Sequence, residues 1–168
     1  MMAKRILVPL DQTKKCEAVL PFVADLARGA GSTTRLLHVK PVPTNVVSDS
    51  GRVVAYADQE MARLEAEGLA YLDAIAVLLQ DVPLERVVRF GDPTREILLE
   101  AETFGADIIA LPTSGHGLLR HIVSRSIAPR ILRKSPVPVL LLREPRRRAP
   151  MSAPPQSKVS SWAAASRS

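Results

Sequence analysis

Ile6-Leu7-Val8-Pro9-Leu10-Asp11 is the stretch on which the fold turns. Lys4 and Arg5 precede an unbroken run of five apolar or proline residues, and the run stops on a carboxylate. A run this short, bounded by charge, predicts a strand buried on both faces. Strands of that kind belong to parallel sheets covered by helices on either side.

The pattern repeats outward from there. Asp11-Gln12-Thr13 predicts a turn and helix cap, because short polar side chains accept from the unpaired N–H groups of a helix start. Ala18, Val19, Phe22, Val23, Leu26 and Ala27 recur at helical spacing, with Gly29 and Gly31 as stops. Leu36-Leu37-His38-Val39 is a second strand, so the first unit has the length a parallel crossover requires. Residues Pro41 to Arg52 are polar and irregular, and an Ala-, Leu- and Glu-rich stretch from about Val54 to Leu79 predicts a long helix. Arg86 to Phe90 is the third strand. A turn at Gly91-Asp92-Pro93-Thr94 then places proline where helix starts tolerate it, and the helix runs to about Thr103. Asp107 to Leu111 is the fourth strand, Pro112 to Gly117 a loop, and Ile122 to Arg133 the last helix, with Ile127, Ile131 and Leu132 as its apolar face. Pro138 to Leu142 is the fifth strand.

Strands alternating with helices in this way predict an α/β fold, a doubly wound five-stranded parallel sheet with helices on both faces. Ligands bind such sheets beyond the carboxyl ends of the strands, where the strand order reverses. If the first and fourth strands are central neighbours, Pro9-Leu10-Asp11 meets Pro112-Thr113-Ser114-Gly115 in that crevice.

Composition bounds the rest. The chain has 168 residues, 46% hydrophobic and only 4% aromatic, so one domain with an aliphatic core is expected. Before Arg143 there are 17 Lys/Arg against 16 Asp/Glu, so the net charge of +6 is concentrated after the last strand. Residues 145–168 are rich in Pro, Ser, Ala and Arg and predict a disordered basic tail, in which Trp162 is a solvated end. The single cysteine, Cys16, permits no internal disulfide and fits a small buried helix residue in a reducing compartment. No run approaches 18 apolar residues and no secretory leader is evident, so a cytoplasmic protein without a membrane span is expected.

Segments in order resemble the universal stress protein family: Ile6 to Asp11; Leu36 to Val39 with its His-Val; Val87 to Pro93 with its Gly-x-Pro turn; and Ile131 to Leu141. The resemblance covers roughly Ala3 to Arg143. It implies strand order 3-2-1-4-5, a domain over residues 1–144, and a stress-response or signalling role. ATP-binding members carry Gly, two residues, Gly, nine residues, Gly, then Ser or Thr; the matching positions here are Pro112, Gly115, Arg125 and Ser126. Two of the four depart. Proline removes a backbone donor and arginine fills space at the helix start, where phosphate would sit. The resemblance places Asp11 at the ribose and the Val39 backbone at adenine beside Pro9 and Leu111. Gly115, Arg125 and Ser126 fall on the phosphate side, for Mg-ATP if any cofactor binds. It also implies a homodimer through the edge strand Val137-Leu142, with a further protein partner of unstated kind.

Simpler readings stand beside these. Asp11 caps the first helix, His38 is a satisfied core histidine, and Arg125, His116 and His121 are solvated. Ser114 and Ser126 have no His with an acid orienter at recognisable spacing, and Walker A, Gly-x-Gly-x-x-Gly and Gly-x-Ser-x-Gly are absent. No metal set is complete. The expectation is a non-catalytic module with a degenerate nucleotide site; the alternative is an ATP-binding protein whose nucleotide state controls partner binding. A third reading gives Arg146-Arg147-Arg148 a salt-sensitive hold on anionic surfaces, without specific nucleic-acid recognition.

Overall fold

The computed structural model describes residues 4–43, 46–47, 53–55, 57–113 and 127–143. Along the chain these form β1 (Arg5–Leu10), α1 (Lys14–Glu17), α2 (Leu20–Ala30), β2 (Thr33–Lys40), β3 (Val46–Val47) and β4 (Val53–Ala55). There follow α3 (Ala57–Ala76), a 3-10 turn at Val77–Leu79, β5 (Leu84–Phe90), α4 (Pro93–Phe104), β6 (Ile108–Thr113), α5 (Ile127–Lys134) and β7 (Val139–Arg143). Five strands make one sheet in the order β5-β2-β1-β6-β7, and every neighbouring pair is parallel. Counted along the chain, that is the expected 3-2-1-4-5.

The sheet separates two aliphatic layers, as the even burial of β1 requires. Ile6, Val8, Leu10 and Leu36 pack under α2 and α3, against Leu20, Val23, Leu72 and Ile75. Leu7, Leu37, Ile109 and Leu111 pack under α4 and α5, against Ile97, Ala101 and Ile131. Helices on opposite faces complete the double winding. Gly31 and Gly105 end α2 and α4 at φ of 60° and 63°, the left-handed turn that closes a helix without a Cβ clash.

Several boundaries differ from the sequence reading. The first helix is two, because Pro21 has no N–H for the carbonyl four residues back and the chain restarts with proline in the first turn of α2. Gly29 then lies inside α2 and only Gly31 stops it. Val19, Val23 and Ala27 take the core as expected, joined by Leu20 and Ala24, while Phe22 is 53% exposed. Residues Val53–Ala55 do not open the long helix but pair antiparallel with Val46–Val47, valine pairs of the kind that favours strands. Pro112 belongs to β6 and not to a loop. Ile131 is buried on α5 as expected, but Leu132 faces out. Residues 122–126 of the expected last helix, and the tail 145–168 with Trp162, lie outside the described residues.

Candidate functional site

The site follows from how β1 is laced to its neighbours. With β2 it pairs over six residues, from Arg5–Thr33 to Leu10–His38. With β6 the ladder holds at Ile6–Ile108 and Leu7–Ile109, then ends, although β6 continues with β7 as far as Thr113–Arg143. Backbone groups alternate sides along a strand. Lys4 O accepts from Thr33 N on the β2 side and Arg5 O from Asp107 N on the other, so Leu7 and Pro9 face β6. Ile109 N donates to Pro138 O on the β7 side, so Ala110 and Pro112 face β1. In this register the next two rungs need an N–H from Pro9 to Ala110 O and one from Pro112 to Pro9 O. Neither exists, because proline has no donor. The seam is therefore unlaced at its carboxyl end, where the chain winds one way to β2 and the sheet continues the other way to β6. That is the switch point of a doubly wound sheet.

Asp11 stands at the lip of this seam, and the turn that carries it is specific. Gln12 has φ of 64°, a conformation that costs a non-glycine residue of order 1 kcal/mol and collects at working sites. The sharp turn folds Thr13 back, so that its amide (3.1 Å) and hydroxyl (2.6 Å) both donate to Asp11 Oδ1. The Thr13 hydroxyl oxygen in turn accepts from the Cys16 amide at 3.3 Å. Thr13, not Asp11, is thus the cap of α1, and Asp11 braces the cap. Burial alone would raise the Asp11 pKa. Hydrogen bonds from the Cys16 thiol and from the Thr13 hydroxyl and amide outweigh it and hold the carboxyl below its ordinary value. The same contacts act oppositely on Cys16: burial, then its bond to Asp11, push the thiol up to about 11. At neutral pH Asp11 is a fixed anion and Cys16 an unreactive, buried thiol.

Behind Asp11, the ends of β1 and β2 are tied by His38, whose Nδ1–H donates to Leu10 O at 2.8 Å. A carbonyl only accepts, so the proton is on Nδ1. His38 is 6% exposed and its ring lies 5.6 Å from that of Tyr71, the satisfied core histidine expected. The Tyr71 hydroxyl is buried, and burial, followed by the nearby Glu17 carboxylate, raises its pKa. Lys40, the last residue of β2 and 7% exposed, reaches Glu67 of α3 at 3.4 Å.

The expected site residues divide accordingly. Pro9, Asp11 and Val39 come together at the carboxyl ends of β1 and β2, and Leu111 stands one strand away on β6. Leu111 is 2% exposed and its side chain is committed to the core under α4 and α5, with Val39 packed against the same cluster. Gly115, Arg125 and Ser126, with Ser114, His116, Gly117, Arg120 and His121, lie outside the described residues. Sequence reasoning missed that Thr13 and Cys16 hold Asp11. The Asp-x-Thr spacing was the available signal, since it favours a side-chain turn two residues on. Among the described residues, no group of three or more His, Cys, Asp or Glu side chains could hold a metal ion, and no helix is long and apolar enough to cross a membrane.

Comparison with known proteins gives the same frame. The sequence profile described as the universal stress protein family matches residues 2–143. Universal stress protein Sll1654 of Synechocystis sp. is 28% identical over 151 residues, covering 84% of this chain and 87% of that protein. Universal stress protein MJ0577 of Methanocaldococcus jannaschii is 26% identical over 156 residues, covering 85% and 96%. A solved universal stress protein in complex with cAMP is 13% identical yet superposes with a TM-score of 0.63 over 86% of this chain and all of that one.

Proposed function

Because this chain belongs to the universal stress protein family, we propose that it is a non-catalytic, homodimeric stress-response module with a degenerate adenine-nucleotide site at the β1–β6 seam. The observation that carries the reading is the asymmetry of that seam. On the adenosine side stands Asp11, ionised and held by two donors from Thr13, ready to accept ribose hydroxyls. On the phosphate side stands Pro112, next to the last residue of β6, which offers no N–H where a glycine would supply one. That this fold holds cAMP in a solved relative supports an adenosine-sized occupant. Among the described residues no nucleophile with a matched base stands at the lip, and the proposed module signals by occupancy.

Calorimetry of the full chain with AMP, and with ATP plus magnesium, tests this. The two ligands should bind within about tenfold of each other, because the extra phosphates find few donors. An ATP preference on the order of a hundredfold, about 2.7 kcal/mol, would mean an intact phosphate cradle and end the reading. Glycine at both Pro112 and Arg125 should open that preference. Asp11→Asn should weaken AMP about tenfold and leave the dimer intact. Since the folded-state pKa of Asp11 is depressed, its charge persists as pH falls through the ordinary carboxylate range near about 3.9. Binding that depends on Asp11 is present above that range and is lost only as pH drops through the lowered value. Any stability contributed by its hydrogen bonds follows the same sign.

The alternative, an ATP-regulated module, rests on the adenosine side being retained. It requires Mg-ATP to raise the thermal midpoint, because only a ligand selective for the folded state does so. We place the subunit interface on β7, whose Leu141 is 42% exposed at the sheet edge, and sedimentation of the purified chain measures it.

A further inference from the structure

Asp11 is the acceptor that the proposed site offers to a sugar, and most of its accepting capacity is already taken. An ionised carboxylate has two oxygens and about four positions at which a hydrogen bond can be accepted. The Thr13 amide at 3.1 Å and the Thr13 hydroxyl at 2.6 Å both take Oδ1. The sense of the second bond is fixed. The Cys16 amide donates to the Thr13 hydroxyl oxygen, and the one hydroxyl proton goes to Asp11. The Cys16 thiol, 8% exposed, donates to the same carboxylate.

Among the described residues, these donors fill three of about four positions. Thr13 caps α1 and Cys16 lies in its single turn, so Oδ1 cannot turn to a ligand without loosening that cap. The left-handed Gln12, at φ of 64°, holds Thr13 in place for both bonds. Asp11 itself remains exposed, and one position is left for a ligand.

Resting on the reading of the seam as an adenosine site, we propose that Thr13 and Cys16 set its sugar selectivity, by leaving Asp11 able to accept one ribose hydroxyl and not the vicinal pair. A bare carboxylate would present one oxygen to each hydroxyl of a cis-diol. Here Oδ1 is saturated, and the diol meets a single acceptor. Thr13 and Cys16 are positioning residues: they act on the sugar only through Asp11. The site therefore takes adenosine monophosphates with a hydroxyl at one of C2′ and C3′, and is indifferent to the other.

Calorimetry of the full chain with AMP, 2′-deoxy-AMP and 3′-deoxy-AMP tests this, on wild type and on Asp11→Asn. The substitution should weaken AMP and one analogue alike, by about tenfold. It should leave the other analogue within about twofold, because that analogue lacks the hydroxyl Asp11 reads. Thr13→Val and Cys16→Ala each remove one donor and free one position. Each should raise the preference for AMP over the analogue that Asp11 still grips, by about three- to tenfold over wild type. Thr13→Ser keeps the hydroxyl and should match wild type. A merely structural role would weaken all three ligands together. Cys16→Ala leaves the α1 cap in place, so it decides the matter even where Thr13→Val does not fold. The inference is overturned if Asp11→Asn treats the two analogues alike, or if the folded variants keep the wild-type preference. Failure of AMP itself to bind would end the adenosine reading, and this inference with it.

Discussion

The two edges of the sheet are built on opposite plans. At one end β5 carries Glu85, Arg86 and Arg89, each tied into an ion pair: Arg86 to Asp73 of α3, Glu85 to Arg35 of β2, and Arg89 to the fully buried Glu100 of α4. Glu100 also binds Arg35 at 2.5 Å, and Arg35 stacks 4.0 Å over the Phe104 ring. At the other end β7 reads Val-Leu-Leu-Leu, with no charge until Arg143. Charges on an edge strand deter further pairing, because a neighbour would have to desolvate them. An aliphatic edge lacks that defence and has the composition of a strand with a neighbour. One sheet thus carries one charged edge and one aliphatic edge, and this difference is why we propose β7 as the subunit interface.

The difference can be broken at either end. Glu100→Ala should have the largest effect, about 3 kcal/mol of destabilisation in urea, because it leaves Arg35 and Arg89 partly buried with no carboxylate between them. A loss below about 1 kcal/mol would mean that the network is surface decoration. Leu141→Lys moves the defence of β5 onto β7. It should weaken self-association on the order of a hundredfold by sedimentation, with the monomer's unfolding midpoint nearly unchanged. Gly68→Ala tests how closely α3 holds the charged edge. A Cβ there would meet Val88 of β5 at 2.8 Å, so a cost of about 1–2 kcal/mol is expected, and Val88→Ala should relieve part of it. Asp73→Ala removes only the exposed partner of Arg86. It should cost less than about 0.5 kcal/mol and lose even that in molar salt.

How much of this was legible in the sequence depended on period and on partners. The strands were plain because unbroken aliphatic runs such as Ile6-Leu7-Val8 have one economical use, and their order followed from resemblance. The break before α2 was missed, although Pro21 stood in view, because the apolar spacing runs through it and only the missing N–H interrupts it. Val46-Val47 and Val53-Val54 were hidden in a polar segment too short to show alternation. At the candidate site Asp11 was found by its position at a strand end. Its braces needed the φ of Gln12, which no residue type announces. Pro112 was read as a lost phosphate donor; that its nitrogen faces β1 depends on register, a property of pairs of strands and not of either alone.

The two missing rungs make the sheet two rafts, β5-β2-β1 and β6-β7, fastened to each other near their amino ends. A molecule lodged in the open end presses on both rafts at once, and prying them further breaks no backbone hydrogen bond between them. Anything that bridged Asp11 on one raft and the end of β6 on the other would act as a clasp across that open end. Such a molecule would act first on the spacing of the rafts, of which β7 is the far margin.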